Sequence, residues 1–247
     1  MPFSYEEKGE SSYAVTNTAT CVKTVIQYAD AVFLLDNERF AKADVGISNN
    51  LRLINQSMVK NFYDLFCAGE ERKGKYVGSK VIDAGDIRES LDDICTIGRG
   101  EIPLSTFYPF RKSDYREAAR GSIGAVGALD LALNNLSLAV DVEDAGKILV
   151  IISGPRDAST LSVLGELSNS LQERAPKSII RIGDYPRSTK EISVTVVLSR
   201  LTSVPKVEDI FTRGEYLLKR RQEIDSEMNQ KINMIYERGG NIPSLDQ

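Results

Sequence analysis

The sequence predicts an α/β (α+β) protein in which a long central helix precedes a mixed sheet and another long helix follows it. After residue 93, short apolar segments typical of buried strands alternate with segments of helical periodicity. From Ile47 onward, apolar residues recur every three or four positions, which predicts a helix of about twenty residues. Residues 206–238 are rich in charge and carry apolar residues on one face, a pattern typical of a partly exposed helix.

The elements predicted before residue 93 precede and follow the central helix in the sequence. A helix over 18–28 and an apolar strand over 31–35 come first, and the polar Asp36-Asn37-Glu38 ends the strand. The apolar residues of the central helix are bulky and spread widely around it, so we expect neighbours on more than one of its sides. A charged loop over 69–78 follows, and the segment 81–87 turns into a short helix that ends near Asp93.

The elements predicted after residue 93 run in the order strand, helix, strand, helix, strand, strand, helix. Their ranges are 94–97, 114–136, 147–153, 158–174, 178–182, 192–198 and 206–238. Pro103 and Pro109 flank a linker-like segment, so we predict a domain boundary near residue 105. The predicted units are therefore 1–105, 106–204 and 205–247.

The composition excludes several classes of protein. With 31 Lys+Arg against 35 Asp+Glu and a formal charge of −4, the chain lacks the basic surplus that nucleic-acid binding requires. No apolar run approaches the roughly 20 residues that cross a bilayer, so we predict no membrane insertion. Cys21, Cys67 and Cys95 lie far apart, which favours a reducing cytoplasm over a disulfide framework or a cysteine metal site.

Histidine is absent from the sequence, and its absence narrows the possible chemistry. Ser-His-Asp hydrolysis, Cys-His proteolysis and nearly every zinc or non-haem iron site require that residue. Catalysis would therefore use carboxylates, amides, lysine, arginine or a bound ligand, and we predict no metal site.

Two glycine-containing segments have only a superficial likeness to nucleotide-binding motifs. Residues 69–76 nearly match the phosphate-loop pattern, but Tyr76 replaces the hydroxyl that would bind magnesium, and no strand precedes the segment. Residues 121–127 contain three glycines, but they lie within a helical pattern rather than between a strand and a helix. We interpret the first as an exposed loop and the second as a surface for close helix packing.

Asp83 and Asp86 lie three residues apart at the predicted junction between extended chain and helix. One interpretation is structural, with Asp83 as the N-cap and Asp86 in the first helical turn. The other is functional, with the two carboxylates orienting a water or a metal for attack on an anhydride, as phosphoryl transfer requires. The spacing fits both.

Asn37 and Asn55 are further candidates, because an amide both donates and accepts hydrogen bonds and can contact a purine edge. Asn37 follows a predicted buried strand, and Asn55 lies within the long helix. Their structural interpretations are a turn or cap residue and an exposed helical position.

Several segments, in sequence order, resemble the second half of the tubulin/FtsZ superfamily. The segment PFSYEE at 2–7 resembles PFSFEG of FtsZ, and ADAVFLLDNE at 29–38 is similar to the IPND pattern of FtsZ and to MVDNEA of tubulin. The helix from Ile47, with LINQ at 53–56, resembles the central helix of that fold. VIDAGDI at 81–87 resembles the catalytic loop NxDxxD, and KEISVTVVLS at 190–199 is similar to ELRVTVIATG of FtsZ. The segment 204–210 and its helix look closer to tubulin and to the archaeal CetZ group.

The resemblance implies a role for each candidate residue in a GTPase that polymerises head to tail. Asn37 and Asn55 would contact guanine, although a shifted alignment places Asn49 or Asn50 at the second position. Asp83 and Asp86 would polarise the water that attacks the γ-phosphate bound by a neighbouring subunit. Val81 replaces the usual asparagine of that loop. GTP or GDP with Mg²⁺ would be bound by the complete protein.

The resemblance also implies that a nucleotide-binding half is missing, because the GGGTGSG phosphate signature does not occur in these 247 residues. Residues 1–105 would be the remainder of that domain, with 106–204 as the second domain and 205–247 as a terminal helix and tail. We therefore expect no tight nucleotide binding by this chain alone. Two other interpretations stay open, a non-catalytic protein-interaction module and an unrelated α/β enzyme that uses the two carboxylates with magnesium.

Overall fold

Five strands form one mixed sheet in the computed structural model, which describes residues 11–40, 47–68, 78–103, 114–156, 160–240 and 242. The strands are β1 (Ala31–Phe33), β2 (Asp93–Pro103), β3 (Lys147–Gly154), β4 (Ile179–Pro186) and β5 (Glu191–Ser199). Their order across the sheet is β1-β2-β5-β3-β4, so β1 and β4 lie at the edges. The pairs β1–β2 and β3–β4 are parallel, whereas β5 is antiparallel to both of its neighbours.

Helices cover both faces of this sheet. They are α1 (Ser12–Tyr28), α2 (Ile47–Cys67), α3 (Ala84–Ser90), α4 (Asp114–Asn134), α5 (Leu161–Arg174) and α6 (Pro205–Gly239). Along β3, Ile148 and Val150 pack into the core beneath α4 and α5, whereas Leu149 and Ile151 pack into a second core that includes Leu65 of α2. This alternation follows from the two-residue period of a strand. The α/β prediction, with a long helix before a mixed sheet, is confirmed.

Strand β2 is longer than the predicted 94–97. The prediction stopped early because the second half of the strand contains glycines and charged residues, which are uncommon in strands. Gly98 and Gly100 are needed there, since a Cβ on either would overlap a backbone carbonyl of α4, that of Ala132 or of Ala128 respectively. On the facing helix, a Cβ on Gly127 would lie 2.7 Å from Ile102. Small residues on both sides therefore bring α4 close to β2, as we predicted for the glycines of that helix.

The predicted boundary near residue 105 lies just after β2. That strand pairs with β5, and β1 pairs with β2, so the sheet contains strands from both of the first two predicted units. The division into 1–105, 106–204 and 205–247 stays a prediction. The predicted loop at 69–78 and the segment 2–7 lie outside the described residues, apart from Gly78.

Helix α6 is buried only over its first three turns, although Arg221 still lies 5.0 Å from the ring centroid of Tyr13 on α1. Val207, Ile210 and Gly214 are buried, and Gly214 lies so close to α1 that a Cβ there would be 2.8 Å from Ala19. Every residue from Leu218 to Gly240 is exposed, a length of about 30 Å at 1.5 Å per residue. In the described part of the chain, no helix is long and apolar enough to span a bilayer.

Helix α2 begins at Ile47 and has 21 residues, as predicted, but it contacts the rest of the described chain on one side. Leu65 is fully buried, and Ile54 and Met58 are nearly so. On the adjacent side of the helix, Val59 is 65% exposed and Phe66 is 57% exposed. Among the described residues, the neighbours that we expected on more than one side are present on one side of the helix.

A buried carboxylate joins α2 to the sheet. Asp64 accepts hydrogen bonds from Arg99 Nε and Arg187 Nη1, both at 2.8 Å, and its side chain is 3% exposed. The Arg187 guanidinium also lies 5.0 Å from the ring centroid of Tyr63, within the range of a cation–π contact. Burial alone would lower the pKa of Arg99, but Asp64 and Glu101 raise it above its usual value. Arg99 therefore stays charged beside this buried acid.

We predict that Asp64→Ala lowers the free energy of unfolding by about 3–5 kcal/mol, because it leaves two guanidinium groups without their buried acceptor. The control is Glu101→Gln, which changes the outer partner of Arg99, a side chain that is 42% exposed. We expect that control to cost less than about 1 kcal/mol. Urea denaturation of both variants measures the difference, and equal losses would contradict the assignment of Asp64 as the main anchor.

Candidate functional site

The two aspartates predicted from the sequence lie together at the start of α3. Asp83 is the N-cap, and its Oδ1 accepts a hydrogen bond from the backbone N–H of Asp86 at 2.8 Å. In return, Asp86 Oδ2 accepts from the backbone N–H of Asp83 at 3.2 Å. This reciprocal arrangement is a capping box, so the structural interpretation of the pair is correct.

The capping box leaves both carboxylates within reach of solvent. Asp83 is exposed and Asp86 is half-buried. Arg181 of β4 lies on the other side of Asp86, with its Nε 4.0 Å from Asp86 Oδ1 and its Nη2 2.6 Å from Glu89 Oε2. The capping box uses one oxygen of each carboxylate and leaves the other oxygen available. Such groups can accept a hydrogen bond from a water molecule while they cap the helix.

Val81, where the family resemblance leads one to expect asparagine, is 44% exposed, whereas the next residue, Ile82, is buried. Val81 offers no polar side-chain group beside Asp83. Any polarisation of water at this turn would therefore depend on the two carboxylates.

Asn37 and Asn55 line a single open cavity of about 660 Å³. Asn37 lies in the short 3₁₀ helix after β1, and Asn55 lies on α2. Neither Asp83 nor Asp86 lines this cavity. The structure thus brings the two asparagines together and keeps them apart from the acidic pair.

Aromatic side chains on α2 also line the cavity, and the sequence-based interpretation missed them. Phe62, Tyr63 and Phe66 follow Asn55 by seven, eight and eleven residues, the spacing of one helical face. That spacing could have identified them. Tyr63 is 49% exposed, and Phe66 stacks on Phe62 with ring centroids 6.0 Å apart.

The turn that carries Asn37 is held in place by its neighbours in the sequence. Asp36 is buried and accepts from the backbone N–H of Glu38 at 3.2 Å. Lys206, at the start of α6, contacts Glu38 Oε2 at 2.6 Å and Asp36 Oδ1 at 3.7 Å. Arg39 Nε donates to the carbonyl of Leu136 at 2.8 Å. These contacts therefore fix the backbone on either side of Asn37.

This arrangement is the fold of tubulin/FtsZ-like proteins. The chain superposes on a GTPγS-bound protofilament structure of CetZ2 from Haloferax volcanii with a TM-score of 0.70 and 22% identity, covering 86% of this chain and 59% of that one. It superposes on an FtsZ structure from M. jannaschii with a TM-score of 0.60 and 17% identity, covering 81% and 55%.

The family model for the tubulin-like CetZ C-terminal domain matches residues 45–215, and the chain belongs to that family. The tubulin-like protein CetZ3 of Haloferax volcanii is 25% identical over 236 residues, which cover 89% of this chain. The match spans 60% of the length of CetZ3. The resemblance to the archaeal tubulin/FtsZ-like group is thus confirmed.

The capping box predicts that the stability of α3 depends on which residue replaces Asp83. Asp83→Ala should destabilise α3 by about 1 kcal/mol, whereas Asp83→Asn should be nearly neutral because asparagine caps equally well. Hydrogen exchange of peptides covering 84–90 measures this. Thr160→Ala, which removes the N-cap hydroxyl of α5, is the matched control and should raise exchange in α5 only. Equal exchange in both Asp83 variants would argue against the cap.

Proposed function

We propose that this chain is the C-terminal portion of a tubulin/FtsZ-like GTPase that polymerises, and that it supplies guanine contacts and an activating acidic loop. The observation that carries the proposal is the solvent-accessible pair Asp83 and Asp86 at the start of α3, in a chain of the CetZ family. Such an activity belongs in the cytoplasm, which supplies GTP.

The acidic pair would act on GTP, with its Mg²⁺, bound to a neighbouring subunit. Its carboxylates would accept a hydrogen bond from the water that attacks the γ-phosphate, raising the electron density on that oxygen and holding it in line. Phosphoryl transfer depends mainly on positioning and charge, so carboxylates suffice where histidine is absent. Neither aspartate lines the Asn37 cavity, which is compatible with two separate half-sites on one subunit.

The Asn37 cavity would hold the guanine base. Its two amides can donate to and accept from a purine edge. The described lining of the cavity is uncharged, which suits a base better than phosphates. Because the chain spans 60% of the length of CetZ3, we assign phosphate binding to a portion corresponding to the remaining length. This chain alone would then bind nucleotide weakly.

The assembly we propose is a head-to-tail filament of copies of the whole protein. A contact between two different surfaces does not close on itself, so it propagates as a filament. The GTPγS-bound CetZ2 relative is a protofilament, which supports this assembly. Hydrolysis would then require both the missing half and a neighbouring subunit.

A second candidate function is a non-catalytic tubulin/FtsZ-like interaction module that does not bind GTP. Val81 in place of the asparagine favours it, as does the engagement of Asp83 and Asp86 in a capping box. Nucleotide titration of the full-length gene product, with light scattering to follow filaments, separates the two candidates.

Asp86→Asn tests the catalytic assignment, because asparagine keeps an oxygen that can accept from the Asp83 N–H but removes the charge. We expect GTP turnover to fall by about 100-fold or more, with nucleotide affinity unchanged. Asp209→Asn is the control, since Asp209 is also exposed and pairs with an arginine, Arg213, on α6. Turnover equal to the parent protein's would refute the catalytic role of Asp86.

Asn37→Ala and Asn55→Ala test the base-binding assignment. Each removes one or two hydrogen bonds, so we expect GTP and GDP affinity to fall about 5- to 10-fold. Asn49→Ala distinguishes the alternative alignment, and Asn229→Ala, on the exposed part of α6, is a control that should change nothing. Fluorescent-nucleotide titration measures all four. A loss with Asn49→Ala but not with Asn55→Ala would move the second contact to Asn49.

A further inference from the structure

A buried carboxylate on β4 lies against the segment that leads into the acidic pair. Asp184 is 3% exposed. Its Oδ2 accepts from the backbone N–H of Ser79 at 2.9 Å, and its Oδ1 accepts from the backbone N–H of Lys80 at 2.7 Å. Its own backbone N–H donates to the carbonyl of Lys80 at 3.0 Å. One residue thus makes three hydrogen bonds to a segment about a hundred positions earlier.

Two glycines allow this close approach. A Cβ on Gly78 would overlap the Asp184 carboxylate, and a Cβ on Gly183 would overlap the side chain of Ile82 and lie 2.6 Å from the Lys80 carbonyl oxygen. Ile82 itself is 4% exposed and packs in the core that includes Leu65. The segment 78–82 therefore packs against the edge of the sheet, with no room for a side chain at Gly78 or Gly183.

The same strand contacts the acidic turn at a second point, where Arg181 lies beside Asp86 and Glu89. Asp83 follows Lys80 by three residues, so a shift of the anchored backbone moves the N-cap and the helix that it starts. Burying a carboxylate costs free energy unless hydrogen bonds compensate it, and here backbone N–H groups of this segment supply them.

We propose that Asp184 is a positioning residue for GTP hydrolysis, which fixes the backbone of 79–80 and so sets where Asp83 and Asp86 stand relative to the nucleotide of the neighbouring subunit. The inference rests on the proposed function of the acidic pair. Asp184 is buried and contacts no substrate, so its effect is on geometry. A displacement of about 1 Å in such a site can cost up to about 100-fold in rate.

The test compares Asp184→Asn with Asp144→Asn in the full-length gene product. Asp144 has the same chemistry elsewhere in the domain, since its carboxylate accepts from the backbone N–H groups of Thr202 at 2.9 Å and Ser203 at 2.8 Å. We expect Asp184→Asn to lower kcat for GTP by about 10- to 100-fold, with KM within about two-fold. Turnover is normalised to the polymer pelleted with GTPγS. Asp144→Asn should leave kcat within about two-fold.

Gly78→Ala disrupts the same contact without changing Asp184. It therefore keeps the test valid if the Asp184 variants fold poorly. The added methyl group displaces the carboxylate, so we expect the same loss of kcat. In an Asp184→Ala background there is no carboxylate to displace, and Gly78→Ala should then cause little further loss. Such non-additivity is the signature of a direct contact.

Hydrogen exchange of peptides covering 79–90 supplies a readout independent of turnover, and Asp184→Asn should increase it. Increased exchange with unchanged kcat, while Asp86→Asn abolishes turnover, would overturn the positioning role alone. Unchanged exchange would overturn the anchor itself. A parent protein without GTP turnover, or one indifferent to Asp86→Asn, would overturn the proposed function and with it this role.

Discussion

The ion cluster around Asp64 is the interaction on which the arrangement of the Asn37 cavity and the acidic turn depends. Asp64 lies on α2, whereas Arg99 and Arg187 come from β2 and from the residue after β4, so one carboxylate joins the central helix to both. The cavity with Asn37 and Asn55 is lined largely by α2, and the acidic turn rests on β4. The anchor therefore holds the Asn37 cavity and the acidic turn in one frame, with the exposed side of α2 facing away from the sheet.

At the acidic turn, helix capping and the catalysis that we propose are compatible uses of the same side chains. A carboxylate has two oxygens, and the capping box uses one from each of Asp83 and Asp86. The cap restricts the rotamers of both groups, which is what a water-orienting pair requires. The hydrogen bonds that start the helix thus fix the orientation of both carboxylates in advance. Whether they act on a substrate then depends on which molecule binds next to this turn.

Periodicity predicted the helices well, because their signals are local. The start of α2 at Ile47, the capping of α3 by Asp83 and the close packing of α4 all follow from residues within a few positions of one another. Strand β2 was predicted too short, since Gly98 and Gly100 indicate a strand only once α4 is known to lie against them. The role of Asp184 was not predicted, because its partners Ser79 and Lys80 lie 105 and 104 positions away. The aromatic residues of the Asn37 cavity were missed although their helical spacing was visible.

The contact between the segment 78–82 and β4 also affects the tendency of the protein to aggregate. An uncovered edge strand is a template for unwanted pairing between molecules, and proteins block such edges with short strands or covering loops. At one end of this sheet β1 has three residues, and at the other the Lys80 carbonyl and the Asp184 N–H are already paired with each other. Both edges of the described sheet therefore offer a shortened template for unwanted pairing between molecules.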